Sequence, residues 1–218
     1  MTTDNSEKML KRLKLIWNET VSVFHHLNLF KFTDGLFEKN KRLREKDSTY
    51  FDWIMQSSTV DLIIRTARLC DDRTDTESLT RFLRKLKKDT YLLSRERYKN
   101  LYKKDPMDLK DLADHYFDKL AGKNESHYPE KLIDADIKTL TQDNPCRRII
   151  DYRNEYIAHL AKEKGPASTY NELFESLTIL SNLENKYEML LKASSSMSHT
   201  PTIQGNWREV LTIPWLSK

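Results

Sequence analysis

Glycine and proline are scarce, with only 4 and 6 among 218 residues, while 32% of the chain is charged. A fold of short strands joined by tight turns needs more of both, because glycine supplies positive φ and proline presets turn geometry. What remains is the composition of long charged helices, and the expected fold class is all-α, an antiparallel helical bundle. Cysteine is scarcer still. Cys70 and Cys146 are too few and too far apart in sequence for a disulfide framework, and no C-x-x-C pair suggests zinc. A reducing cytoplasm is the compartment expected. Long apolar runs are also missing: residues 13–30 are broken by Asn18, Glu19, His25 and His26, so neither a signal peptide nor a membrane contact is expected. There is no Gly-rich phosphate loop and no internal repeat.

The net charge of +4 is too small for a general polyelectrolyte binder, but its distribution is uneven. Between Arg81 and Lys104 ten Lys or Arg face only Asp89 and Glu96. Arg81, Arg84, Lys87, Lys88, Arg95 and Arg97 are therefore candidate RNA-binding cations, with Phe82, Tyr91, Tyr98 and Tyr102 interleaved as possible stacking platforms. The alternative is a solvated helix face whose aromatics belong to the core.

Apolar residues at three- and four-residue intervals mark the helices. Residues 6–30 form one through Leu13, Ile16, Trp17, Phe24 and Leu27, with Asp34-Gly35 as a turn after it. Residues 45–70 form a second, ending at Asp71-Asp72. Thr74 and Glu77 stand at capping-box spacing before a third that runs on through the basic stretch. Asp105-Pro106 opens a fourth to Gly122, and Pro129 a fifth to about Leu140. Asn144-Pro145 pairs a cap with a first-turn proline and starts a sixth, which stops at Gly165-Pro166. Thr169 and Glu172 cap a seventh whose stripe runs from Leu173 to Leu190. Residues 1–193 are read as one helical domain. Residues 194–218 are a Ser-rich linker and an apolar tail with Trp207 and Trp215, expected to dock on the domain or a partner.

The sixth helix carries Asp151-Tyr152-Arg153-Asn154-Glu155-Tyr156-Ile157-Ala158-His159-Leu160. On an uninterrupted α-helix six residues correspond to about 600° of rotation and about 9 Å of rise, which leaves Arg153 and His159 roughly 120° apart. One such helix does not close both around a single phosphate; two copies across a two-fold axis do, so a catalytic reading implies a homodimer. Asp111, His115 and Asp118 share a helical face but lack a second cluster, and no metal site is expected. His25 and His26 diverge by about 100° and are read as structural.

Arg153-Asn154-Glu155-Tyr156-Ile157-Ala158-His159 resembles the signature of the HEPN superfamily, and its Ile-Ala-His ending is similar to the abortive-infection branch. Ala67-Arg68-Leu69-Cys70-Asp71 also resembles that branch's pattern, and the long stripe after the motif stands where the family has one. The resemblance implies a helical bundle that dimerises through the motif helices and cleaves RNA without a metal or other cofactor. It implies a toxin or phage-defence role, with a cognate antitoxin as a possible partner. Carried over, Arg153 and His159 are the catalytic pair and Asn154 the polar residue beside them. The chemistry is coherent: RNA brings its own 2′-hydroxyl nucleophile, histidine moves the proton, and arginine's planar fork holds the phosphate. Glu155, Tyr156, Tyr152 and Arg68 are candidate supports, and Asp71 and Asp72 are either neighbours of the cleft or simply a helix end. Some family members carry a modifiable tyrosine two residues past the histidine; here Ala161 stands there, which speaks against that regulation. The alternative function is a non-catalytic helical module that binds a protein or nucleic acid.

Overall fold

The computed structural model describes residues 2–39, 49–102, 110–142, 144–158, 169–194 and 209. Among them there are eight α-helices and no β-strand beyond one antiparallel bridge between Ser94 and His127. The helices are α1 (Thr2–Lys39), α2 (Thr49–Cys70), α3 (Leu79–Lys87), α4 (Arg95–Tyr102), α5 (Lys110–Ala121), α6 (Glu130–Thr141), α7 (Pro145–Tyr152) and α8 (Tyr170–Lys192). The all-α expectation holds. No helix among the described residues is long and apolar enough to cross a membrane.

The core is built on α8, which buries Leu173, Leu177, Leu180, Leu183, Tyr187 and Leu190. α1 lies along it with Met9, Leu13, Ile16, Val23, Phe24 and Leu27, and α2 packs on both with Leu62, Ile63, Ala67 and Leu69. Two polar pairs cross this core. Thr20 donates its hydroxyl to the buried Glu184 carboxylate at 2.6 Å, and the Tyr187 hydroxyl donates to Asp136 on α6 at 2.7 Å.

Three sequence expectations are corrected. α1 continues through Asp34-Gly35 to Lys39, because a lone glycine in a helix is a weak breaker when the face on either side is amphipathic. The cap of α3 is Ser78, whose hydroxyl accepts from the Arg81 N–H, rather than Thr74 in the preceding turn. The basic stretch beyond it is broken. α3 ends at Lys87, a 3₁₀ turn spans Thr90–Leu93, and α4 begins at Arg95. Asp105-Pro106 and Gly165-Pro166 lie outside the described residues, as do the Trp-bearing tail and most of the Ser-rich linker.

The remaining punctuation works as the side chains dictate. Gly122 follows α5 at φ +105°, a conformation that costs other residues steric strain. Thr169 and Glu172 form a complete reciprocal capping box at the start of α8. Asn144 accepts from the Arg147 N–H, and its amide donates to the carbonyls of Thr139 and Gln142, tying α7 to the end of α6. Replacing it with alanine is expected to cost about 1 kcal/mol and to lower the melting temperature by about 2–4 °C. A melt within 1 °C of wild type, about a quarter to half the shift for 1 kcal/mol, would refute the cap.

Candidate active site

α7 changes winding at the motif. Its backbone is α-helical to Tyr152, and Arg153–Ala158 then form a π-helical turn. The Arg153 N–H reaches both the Ile149 and Ile150 carbonyls at the junction. The wider i→i+5 winding means that the 120° separation expected for an unbroken α-helix does not apply here. His159 lies outside the described residues.

Arg153 is the best-defined member of the site. Its Nη2 donates to Asp71 Oδ2 at 2.8 Å, and only 13% and 10% of the two side chains is exposed. Its Nε donates to Asn154 Oδ1 at 3.0 Å. The exposed Asn154 thus orients the guanidinium directly.

Asp71 is itself held from several directions. It follows the last residue of α2, and its Oδ1 accepts from the Arg73 N–H at 3.2 Å. The Ser78 hydroxyl donates to the Asp71 carbonyl, and the Thr80 hydroxyl donates to the Cys70 carbonyl at 2.6 Å. Ser78 and Thr80, at the start of α3, therefore satisfy two of the carbonyls at the end of α2. The result is a rigid seat for the carboxylate that positions Arg153. Neighbouring Cys70 and Cys146 are both fully buried, and the adjacent Cys146 thiol together with burial pushes the Cys70 thiol well above its ordinary pKa. Cys70 is therefore held as a neutral thiol in the packing beneath the pair.

Among the other candidates, Tyr152 and Tyr156 lie with ring centroids 4.9 Å apart, and Tyr152 and Ile157 pack on the core. Glu155 is exposed. Arg68 does not reach Arg153: its Nη2 donates to Glu19 Oε1 at 2.6 Å, and Arg65 bonds the same carboxylate. The Arg65 hydrogen bond is the main reason that Glu19 titrates below the usual range. The supporting residue is Asp71, three positions on. The upstream Ala-Arg-Leu-Cys-Asp pattern carried that signal, but a helix-terminal aspartate had an ordinary explanation.

Of the candidate RNA-binding residues, the structure corrects the placement of Arg97 and of two interleaved aromatics. Arg97 is buried, donating to the Leu92 and Leu191 carbonyls and the Ser6 hydroxyl, so it is a strut between α4, α8 and α1. Phe82 and Tyr98 are fully buried and do not form stacking platforms, whereas Tyr91 is 46% exposed. Four of the other five candidate cations have partners within the fold. Arg81 donates to the Thr74 and Thr76 carbonyls, and Arg84 pairs with Asp72 at 2.7 Å. Lys87 pairs with Asp134 at 2.9 Å and Arg95 with Asp114 and Asp118 at 3.1 and 2.5 Å. Lys88 is exposed. Asp118 is thereby engaged by Arg95, and no group of three His, Cys, Asp or Glu suited to a metal occurs among the described residues.

Residues 6–210 match the family model HEPN_AbiU2, described as AbiU2. The chain belongs to this HEPN family. The matched residues take in every described helix apart from the first four residues of α1, and Arg153 lies within them. No curated protein and no solved structure matches the chain significantly. Within this AbiU2-type fold, α2, α3 and α7 meet at the Asp71–Arg153 pair, and all three contribute to its geometry.

Proposed function

We propose that this AbiU2-type HEPN protein is a metal-independent endoribonuclease, acting as a toxin or phage-defence effector, with a composite active site at a homodimer interface. Arg153 binds and neutralises the scissile phosphate, Asn154 orients its guanidinium, and His159 moves a proton between the 2′-hydroxyl, the leaving oxygen and solvent. The observation that carries the reading is the Asp71-held Arg153 at the start of a π-turn, in a stretch that resembles the HEPN signature. Structures of this kind make up well under 1% of residues and concentrate at functional sites. A guanidinium already bound to Asp71 and Asn154 requires little reorganisation when phosphate arrives, which is how preorganised charge lowers a barrier. Cytoplasmic residence and a cognate antitoxin belong to the same proposal.

Cleavage through the 2′-hydroxyl dictates the test. Purified protein in EDTA is expected to cut single-stranded RNA, leave 2′,3′-cyclic phosphate ends, and spare a strand whose 2′-hydroxyls are methylated. It is expected to elute as a dimer. Intact RNA after incubation in EDTA, or equal cutting of the methylated strand, would overturn the assignment.

A further inference from the structure

The end of α3 opposite Asp71 leads to a pocket of about 630 Å³, lined by Tyr91 and Ser94, by α4 and by residues 126–127. Its wall is fixed by main chain. Ser94 and His127 form the antiparallel bridge, where the Arg95 N–H donates to the Ser126 carbonyl and the Tyr128 N–H to the Leu93 carbonyl, both at 2.8 Å. The two long cations of the lining are engaged by α5: Arg95 by Asp114 and Asp118, and Lys99 by Asp114 at 2.5 Å. The pocket is therefore not built around a phosphate. It offers a flat ring, a carboxylate and an amide instead. Tyr91 is 46% exposed, and Glu96 and Asn100 stand at i and i+4 on α4, so they leave the same face of the helix one turn apart. Neither Glu96 nor Asn100 has a side-chain partner among the described residues.

We infer that this pocket binds a guanine base of single-stranded RNA. The choice of RNA over a free guanine nucleotide rests on the ribonuclease reading; the base preference rests on the pocket. A carboxylate only accepts hydrogen bonds. Guanine is the RNA base whose Watson–Crick edge sets two donors side by side, its ring N–H and its amino group, whereas adenine, cytosine and uracil each present an acceptor beside a donor there. Glu96 takes the two guanine donors, and Asn100, one turn on, donates its amide N–H to the guanine carbonyl. The Tyr91 ring carries the face of the base, as aromatic side chains hold bases splayed out of a single strand. Arg95 and Lys99 stay with Asp114 and Asp118, which leaves the Glu96 carboxylate to the base.

The test uses full-length protein, EDTA and fluorescent 2′-O-methyl oligouridines carrying one central guanine or one central adenine, so that binding is read whether or not the chain cleaves RNA. The guanine strand is expected to bind about tenfold tighter, the discrimination typical of one bidentate base contact. Glu96→Gln, which puts a donor where guanine needs an acceptor, is expected to bring the guanine strand down to the adenine strand and to leave the latter unchanged. Tyr91→Ala is expected to weaken the guanine strand about tenfold and Tyr91→Phe to restore it, since the ring and not the hydroxyl does the stacking. Glu38→Gln removes the same charge from an exposed position on α1 and is expected to change neither strand. Equal binding of the two strands by the wild type, a guanine preference that survives in Glu96→Gln, or its equal loss in Glu38→Gln would overturn the pocket. Titration with guanosine monophosphate separates the two sources of the base. If Glu96→Gln loses the mononucleotide while the wild type binds both strands alike, the assignment to RNA fails. A guanine preference in a chain that leaves unmethylated RNA intact would remove the ribonuclease reading and keep the pocket.

Discussion

Replacing Asp71 by alanine is expected to destabilise the protein by about 3–5 kcal/mol and to remove RNA cleavage together with it. Asp71 and Arg153 are almost covered, and deleting one partner of a buried pair leaves an uncompensated charge. The carboxylate also accepts from the Arg73 N–H, so the turn that seats α3 loosens as well. A loss of this size lowers the melting temperature by roughly 10 °C in a chain of this length. A second variant separates stability from function. Asp71→Leu/Arg153→Met removes both charges and is expected to recover most of the melting temperature, since apolar replacement of a buried pair is often neutral or stabilising. Cleavage should stay lost in it. An Asp71→Ala melt within 2 °C of wild type, a loss of about 1 kcal/mol or less, would show that the pair does not carry this weight.

His159→Ala is expected to lower the cleavage rate by about 10²–10⁴-fold, the usual contribution of a positioned proton-transfer group. Arg153→Ala should lose a comparable factor, and Arg153→Lys should not recover it. A lysine offers one point charge and cannot bond Asp71, Asn154 and a phosphate together in the plane the guanidinium provides. If the two residues act in one step, the double variant is expected to be no slower than the slower single variant. Fully multiplicative losses would assign them to separate steps. Cleavage by His159→Ala at the wild-type rate would remove the histidine from the mechanism.

Both predictions depend on residues that the sequence brought forward to different degrees. Arg153, Asn154 and His159 could be named as candidates because the signature they resemble is local, confined to seven consecutive positions; the structure places the first two, and His159 lies outside the described residues. Asp71 was only half legible. It belongs to an upstream pattern that resembles the family, yet an aspartate after a helix has an ordinary role, and nothing in a linear sequence shows which side chain crosses 82 positions to meet it. The nearer arginine of that pattern, Arg68, turned toward Glu19 on α1. The π-turn was not legible at all. Hydrophobic spacing in a short segment does not distinguish four-residue from five-residue hydrogen bonding, and the angular estimate for the motif rested on the first.

The basic stretch shows the same divide. Its charge count is a property of the sequence, but the sequence does not say that Lys87, Arg84 and Arg95 meet carboxylates from other segments or that Arg97 is drawn inward to bond main-chain carbonyls. The sequence by itself determined the all-α class, most helix starts and the motif, because caps, first-turn prolines and apolar periodicity act over one or two turns of chain. Only the tertiary structure decided which acid holds Arg153, how the motif winds and which cations remain at the surface. Those depend on contacts between helices distant in sequence, where burial makes each charge find a partner and leaves the outcome to packing.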